Sequence, residues 1–395
     1  MRVAFDAVGI REGGGAALLG ELIRWLPKVR RDWEWDLYLL DRPNRDFDDP
    51  AGDAHVAIHP ISYARGLLGR ARWIYSDLPG RLREGGADVL FSFANIGSPR
   101  PVIPQVVYCQ QLLTFSTAGD DGRGPLQRLR LRVLQQAIRM GLRASSKIVV
   151  QTAWMQERII SCYPELARGV KVIPAGSRTP SPKLTVRPEL KKSIDEWPRP
   201  RLVYVASPMP HKNHEALIRA MPQIIKTYSR ATLLLTVQRE QPAYDGRLTG
   251  KLVDLADSLG VSKNVIFAGP LSHDEVDYAL KCADLLVFPS IAESFGLPLV
   301  EAMSAGCPVA AADLGYAREV AGDAAIYFDP GSAERIASAV VDVLSSETKL
   351  ATLRRAAIQR SHLFEYRRIA EDIAAVLESA KSAKSVCGGD TRGVA

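Results

Sequence analysis

The residues best placed to do chemistry are two glutamates, Glu293 and Glu301, eight positions apart in the string FPSIAESFGLPLVEAMSAGCPV at 288–309. The string reads as strand, turn, helix, turn and strand, with Glu293 in the turn and Glu301 inside the helix. Just ahead of that helix, Ser294, Phe295, Gly296 and Leu297 bring backbone N–H groups that no preceding carbonyl satisfies, a ready site for an anion. Gly296 lets a phosphate approach the backbone closely. Pro298 costs nothing at a helix start, because its missing N–H would be unpaired there. A second segment, VYVASPMPHKNHEAL at 203–217, sets Ser207, His211 and Lys212 between a strand and a helix, so Lys212 offers a cation at a strand's end. His211 and His214 stand three positions apart without a third ligand nearby, which favours a loop-and-cap role over a metal site.

A third segment, VVYCQQLL at 106–113, follows a strand with Gln110 and Gln111. A neutral amide there hydrogen-bonds a hydroxyl or a carbonyl but cannot titrate. Gly13, Gly14 and Gly15 lie between a strand and a helix, with their N–H groups towards the ligand side. Their spacing is not G-x-G-x-x-G, and Asp41 stands 28 positions beyond Gly13, so a nicotinamide enzyme is disfavoured. Asp46 and Asp48 imitate a D-x-D metal motif but sit in a polar stretch, where a solvated turn is expected.

These residues need elements to hold them. Short apolar runs bounded by turn residues place strands at 3–6, 35–40, 88–92, 106–109 and 147–151, then again at 202–206, 232–237, 265–268, 284–289 and 308–311. Helical patterns separate them, as in buried parallel sheets with crossover helices. The fold class is therefore α/β, with two Rossmann-like doubly wound domains facing across a cleft. The domains are expected at 1–178 and 179–364, joined by a Pro/Ser/Lys/Arg-rich linker at about 176–188. A helix at 365–380 packs back towards the first domain, and 381–395 forms a disordered tail. Ligands of such sheets bind outside the carboxyl ends of the strands, so the cleft is the default site.

With 395 residues, 47% hydrophobic and 24% charged, the chain has the composition of a globular protein of two or three domains. Mixed charge and aperiodic Gly and Pro exclude disorder and collagen-like repeats. No apolar run of about 18 residues is present to span a membrane, and the first ten residues read as a buried strand rather than a leader. The five cysteines are scattered and odd in number, which points to a reducing cytosol without a disulfide frame. Net charge is +7, and no acidic residue occurs between Asp121 and Glu157. In the helix expected at 126–142, Leu126, Leu129, Val133, Ala137 and Met140 form a stripe for the core, leaving Arg128, Arg130 and Arg132 outside. The basic face, with the arginine-rich stretch 65–83 carrying Trp73 and Tyr75, equally suits an anionic membrane surface. RNA is not expected, since no RNA-binding motif accompanies it.

The string around Glu293 and Glu301 resembles the E-x7-E signature of the retaining family 4 glycosyltransferases, which have the GT-B fold. The resemblance extends over essentially the whole chain, through the glycine loop, KIVVQTAWMQERI, VIPAG, the Lys212-Asn213 pair and FAGPLSHDEV. It implies that Glu293 contacts the donor sugar hydroxyls, Glu301 holds the nucleotide ribose, and Lys212 meets the donor diphosphate. Gln110, from the first domain, joins Glu293 and Lys212 as a catalytic residue. Donor contacts are implied for Gly14, Gly15, Ser207, His211, Pro270, Leu271, Ser294, Phe295, Gly296 and Leu297, with 269–272 against the base. Two departures stand out. Ser207 replaces a usual arginine, a loss that a protonated His211 or another arginine would have to cover. Gln110 and Gln111 replace a usual His-Asp pair. The resemblance implies no metal and no cofactor beyond a nucleotide diphosphate sugar as co-substrate. The expected activity moves a hexose, first guess mannose, to a saccharide acceptor, lipid-linked, in O-antigen-type polysaccharide synthesis. The expected place is the cytoplasm, peripheral on the inner membrane face. The rivals are a sugar-nucleotide epimerase or phosphorylase on the same fold, and a non-catalytic nucleotide-sugar or glycan-binding relative.

Overall fold

The computed structural model describes residues 1–10, 13–40, 55–64, 66–93, 95–110, 125–178, 184–238 and 246–387. The chain divides into two compact units, 1–176 with 366–395, and 177–365.

The first unit is built on a seven-stranded parallel sheet: β1 (Arg2–Asp6), β2 (Glu34–Leu39), β3 (Val56–Pro60), β4 (Val89–Ser92), β5 (Gln105–Cys109), β6 (Lys147–Val150) and β7 (Val170–Val172). Their order is β3-β2-β1-β4-β5-β6-β7. The central strands are buried through Phe5, Phe91, Val107 and Val149, as strands covered on both faces must be. The order reverses between β1 and β4, which pair through Val3 and Val89. The helix Tyr366–Cys387 belongs to this unit. It buries Ile369, Ile373 and Leu377, and its Glu378 meets Arg30 at 3.1 Å.

The second unit carries six parallel strands: β8 (Arg201–Tyr204), β9 (Thr232–Leu235), β10 (Val265–Phe267), β11 (Leu285–Phe288), β12 (Val309–Ala312) and β13 (Ala325–Phe328). Their order, β10-β9-β8-β11-β12-β13, reverses between β8 and β11. In both units the chain therefore follows the doubly wound pattern expected from the sequence, and each reversal opens a crevice at the carboxyl ends of two strands.

Four expectations are corrected. The C-terminal helix does not stop at 380 but runs to Cys387; the strong helix formers Lys381, Ala383 and Lys384 favour its continuation, and residues 388–395 lie outside the described ones. The described part of the supposed linker is held against the second unit. Arg178 meets Asp274 at 3.0 Å, Thr185 N–H donates to Asp274, and Arg187 Nη2 donates to Glu275 at 3.0 Å. Those carboxylates occupy the first turn of the helix His273–Cys282, so the linker's basic residues find partners there. The strands β3, β7 and β13 were not expected; β7 has only three residues, two of them exposed. Finally, the helix Pro125–Arg143 turns the other way. Leu129, Val133 and Met140 are 57%, 49% and 42% exposed, whereas Ile138 and Leu142 are buried. Gly141 causes this, because a Cβ there would lie 2.6 Å from the Gly97 carbonyl oxygen, so the glycine side faces the loop between β4 and β5.

Candidate functional site

The crevice of the second sheet holds the charged residues singled out in the sequence. From β8 the chain passes Ser207 into a 3-10 turn, Pro210–Lys212, and then through Asn213 into the helix His214–Thr227. From β11 it passes residues 289–296 into the helix Leu297–Ser304. The two loops are stitched together. Ile291 N–H and Ser290 Oγ both donate to the His211 carbonyl, at 2.9 and 3.2 Å. Asn213, in the left-handed region at φ 57, donates from Nδ2 to the carbonyls of Pro289 (3.2 Å) and Pro330 (2.8 Å). Tyr204 OH donates to the Lys212 carbonyl at 2.6 Å, and Tyr316 OH to the Ser290 carbonyl at 2.7 Å.

Within this frame Lys212 Nζ lies 2.6 Å from Glu293 Oε1, with the side chains 18% and 12% exposed. Burial, and then the Glu293 carboxylate, push the hydroxyls of Tyr204 and Tyr316 above the ordinary phenol range, so both remain donors. Beyond Glu293, Phe295 is buried against Phe364, with ring centres 5.6 Å apart. Gly296 stands at the cap of the next helix at φ 88 and, as a glycine, brings no capping side chain of its own.

Glu301 lies one turn further on. With Arg178, His273, Asp274, Asp277 and Ser304 it lines a small pocket. Burial first, and then the nearby Asp277, push its carboxyl up to about 7, with Arg178 opposing. Pro270 and Leu271 precede the same helix, where Ser272 and Glu275 form a reciprocal cap; Pro270 is exposed and Leu271 half-buried.

His211 is not a charged group in the ligand-free protein. Burial and the Lys212 charge hold its imidazole below the ordinary value of 6.5, so it is neutral at pH 7. His214 is not a cap either. Asn213 occupies that position, and His214 is buried with its ring 4.8 Å from that of Tyr204, its imidazole pushed down to about 4 by burial. Ser207 is half-buried, its carbonyl accepting from Met209 N–H at 2.8 Å.

In the first unit, Gly13, Gly14 and Gly15 open the helix Gly14–Val29, with Gly13 at φ 74. Gln110 follows β5 and meets this loop, since a Cβ on Gly15 would stand 3.2 Å from Gln110 Oε1. Gln110 Nε2 donates to the Phe93 carbonyl at 3.0 Å, and its backbone N–H to Asn95 Oδ1. Gln111, Asp41, Asp46 and Asp48 lie outside the described residues. Sequence reasoning missed Asp6, which ends β1 and is buried. It accepts from Val8 N–H and Trp73 Nε1, both at 3.1 Å, with both Arg70 guanidinium nitrogens at 3.4 Å. An aspartate closing an otherwise apolar strand was the available signal. Among the described residues no three His, Cys, Asp or Glu side chains gather as a metal site.

With this geometry in place, comparison with known proteins gives the class. Residues 186–360 match the family described as Glycosyl transferases group 1, so most of the second unit is a domain of that group. The two parallel-sheet units have the GT-B glycosyltransferase fold. Anabaena HepE, solved with UDP-glucose, aligns over 96% of this chain and 99% of its own, with a TM-score of 0.70 at 20% identity. Among sequence relatives, a D-inositol 3-phosphate glycosyltransferase of Rhodococcus opacus is 26% identical over 232 residues, 58% of this chain and 52% of the relative. An O-antigen chain mannosyltransferase B of Escherichia coli is 25% identical over 57% of this chain and 59% of its own. The chain thus spans little more than half the length of these curated relatives.

Proposed function

We propose that the protein is a retaining hexosyltransferase that uses a nucleotide diphosphate sugar. The observation that carries this reading is the Lys212–Glu293 pair at the strand-order reversal of the second sheet, beside the helix start at Gly296. In the ligand-free protein each side chain neutralises the other. A donor diphosphate takes over Lys212 and the N–H groups at Gly296 and Leu297, and Glu293 is freed to accept hydrogen bonds from sugar hydroxyls. Charge grows on the leaving phosphate as the glycosidic bond breaks, and a fixed cation and fixed N–H dipoles stabilise it without reorganising. Glu301, in its pocket with Arg178 and Asp277, accepts the ribose hydroxyls.

Gln110 cannot take a proton. The acceptor hydroxyl therefore passes its proton to the leaving phosphate on the same face of the sugar, which retains the anomeric configuration. The Gly15–Gln110 contact places an amide beside the glycine loop to orient the sugar. Neither a metal nor another cofactor takes part. Mannose is the proposed sugar, in keeping with the Escherichia coli relative, and a lipid-linked saccharide at the cytoplasmic membrane face is the proposed acceptor. A second reading, a non-catalytic sugar-nucleotide binder, is favoured by Ser207, a hydroxyl where a second phosphate cation is usual.

A thermal-shift panel of UDP- and GDP-sugars, followed by transfer from the best ligand, tests both. A ligand at about 100 times its Kd stabilises by roughly 2.7 kcal/mol. Stabilisation with transfer supports the enzyme, stabilisation without transfer supports the binder, and no stabilisation by any nucleotide sugar overturns both.

A further inference from the structure

The helix His273–Cys282 forms one wall of the Glu301 pocket through His273, Asp274 and Asp277. The side chains that this helix buries are Glu275, Ala279 and Leu280. Where an apolar residue would continue the core-facing stripe, a carboxylate stands instead, its side chain 4% exposed. Arg187, which does not line the pocket, meets that carboxylate on both oxygens. Its Nε lies 2.5 Å from Glu275 Oε1 and its Nη2 3.0 Å from Oε2, a fork on one carboxylate. The Arg187 backbone N–H also donates to Oε1, at 3.3 Å, and Nη2 reaches the Pro270 carbonyl at 3.4 Å. Glu275 Oε2 accepts in turn from Ser272 N–H at 2.9 Å, so the loop that enters the helix is tied to the same carboxylate. Burial alone would raise the Glu275 carboxyl, but the bonds from Arg187 and Ser272 hold it below the ordinary carboxylate value, and the pair is fully charged.

We propose that Arg187 is a positioning residue for the nucleoside half of the donor. Through Glu275 it sets how far the first turn of this helix stands from Glu301, and so whether ribose hydroxyls come within hydrogen-bond reach. A buried ion pair is a weak source of stability, because desolvating the carboxylate offsets much of the attraction; what it fixes is position. The position fixed here is that of a pocket wall. Asp274, beside Glu275, accepts from Arg178 at 3.0 Å and from Thr185 N–H at 2.9 Å. Arg178 and Ser177 line the pocket, and Ser304 Oγ, one turn beyond Glu301, donates to Ser177 Oγ at 2.7 Å. The helix wall, the segment before β8 and the Glu301 helix thus form one bonded frame, with Arg187 as its fastening on the helix turn. A hydrogen bond to a hydroxyl weakens steeply once the heavy atoms part by more than about 3.2 Å, so a turn displaced by about 1 Å loses it. The inference rests on the proposed contact of Glu301 with the ribose.

Calorimetric titration of UDP and GDP, each beside its 2′,3′-dideoxy analogue, tests it in wild type, Arg187→Lys and Arg187→Ala. Both members of a pair bind through the diphosphate, so the ratio of their affinities reports the ribose hydroxyls alone. For the nucleotide it binds better, the wild type is expected to favour the ribose form by about tenfold or more, the worth of one hydrogen bond to a carboxylate. Lysine keeps the charge but cannot fork, so the ratio should fall to about threefold. Alanine should bring it close to unity. Melting temperatures are measured alongside, and if Arg187→Ala does not fold, the lysine variant alone decides. An ion pair that served stability only would lower the melting temperature and leave the ratio unchanged. That result overturns the inference while the ribose contact stands. A wild-type ratio close to unity removes the ribose contact itself, and the inference falls with it, as it does if neither UDP nor GDP binds.

Discussion

Lys212 and Glu293 form an ion pair at 2.6 Å across the strand-order reversal of the second sheet, and they reach it from loops 81 residues apart in sequence. Neither loop holds its position alone. The His211 carbonyl accepts from two groups of the Glu293 loop, and the side chain of Asn213 binds the carbonyl of Pro289.

Removing one partner leaves the other half-desolvated and unpaired, which costs more than the pair itself is worth. Lys212→Ala and Glu293→Ala are expected to lower transfer by about two orders of magnitude or more, the range seen when a preorganised charge or donor is removed. Lys212→Ala should also weaken nucleoside diphosphate binding, whereas Glu293→Ala should leave it nearly intact, since its proposed contact is with the sugar. Calorimetric titration with UDP and GDP beside a transfer assay checks this. Equal loss of diphosphate binding in both variants would contradict the division of roles.

Asn213 separates conformation from bonding. Its φ of 57 is a region that asparagine and glycine tolerate, and its amide satisfies two carbonyls. Asn213→Gly keeps the conformation and loses the bonds; Asn213→Ala loses both. Both carbonyls are part-buried, so leaving them to solvent costs at most about 1–3 kcal/mol each, and the alanine variant adds about 1 kcal/mol of backbone strain. The expected order of melting temperature is wild type, then glycine, then alanine. Both variants are expected to raise KM for the donor more than they lower kcat, because the lysine and the glutamate remain but are less well placed.

The sheets and the charged residues of the crevice were readable in the sequence, for a physical reason. Buried parallel strands are runs of apolar residues, and Lys212 and Glu293 stand just past two such runs. Asn213's partners were not readable, because Pro289 and Pro330 lie 76 and 117 residues away. The orientation of the helix Pro125–Arg143 was ambiguous in kind. Leu129, Val133 and Met140 make one stripe at helical spacing, and Leu134, Ile138 and Leu142 make another. Periodicity cannot choose between them; the contact of Gly141 with Gly97 does.

Glu301 gives a pH signature with a definite sign. Its carboxyl is raised from an ordinary value near 4.5 to about 7, chiefly by burial and then by Asp277. Between those values the folded state holds a proton that the unfolded state has lost, so this group's contribution to stability falls as pH rises from 4.5 to 7. His214, pushed down to about 4, acts in the opposite direction, since the unfolded state takes up a proton first as pH falls below 6.5. The test is therefore a difference: urea unfolding of wild type and Glu301→Gln across pH 4.5–8. The wild type is expected to lose stability relative to the variant as pH rises through this window. Parallel curves would show that Glu301 titrates normally.

The last prediction concerns the charge that meets the diphosphate. If Lys212 and the helix start at Gly296 stabilise the leaving group, EDTA should leave transfer unchanged, and added Mg²⁺ or Mn²⁺ should not raise it. Loss in EDTA that either cation restores would sink that account. A single lysine facing a diphosphate leaves negative charge uncompensated, and in the ligand-free protein burial and Lys212 hold the His211 imidazole below its ordinary value. Ser207, five residues before Lys212 on the same loop, is where a second cation can be supplied. Ser207→Arg is expected to tighten nucleoside diphosphate binding by about tenfold, the worth of one good charge-assisted hydrogen bond of roughly 1.5 kcal/mol. The gain should shrink at high salt, because part of it is Coulombic attraction near the protein surface. Titration of UDP into wild type and Ser207→Arg at two salt concentrations decides the point. Unchanged affinity at both would place the diphosphate away from residue 207.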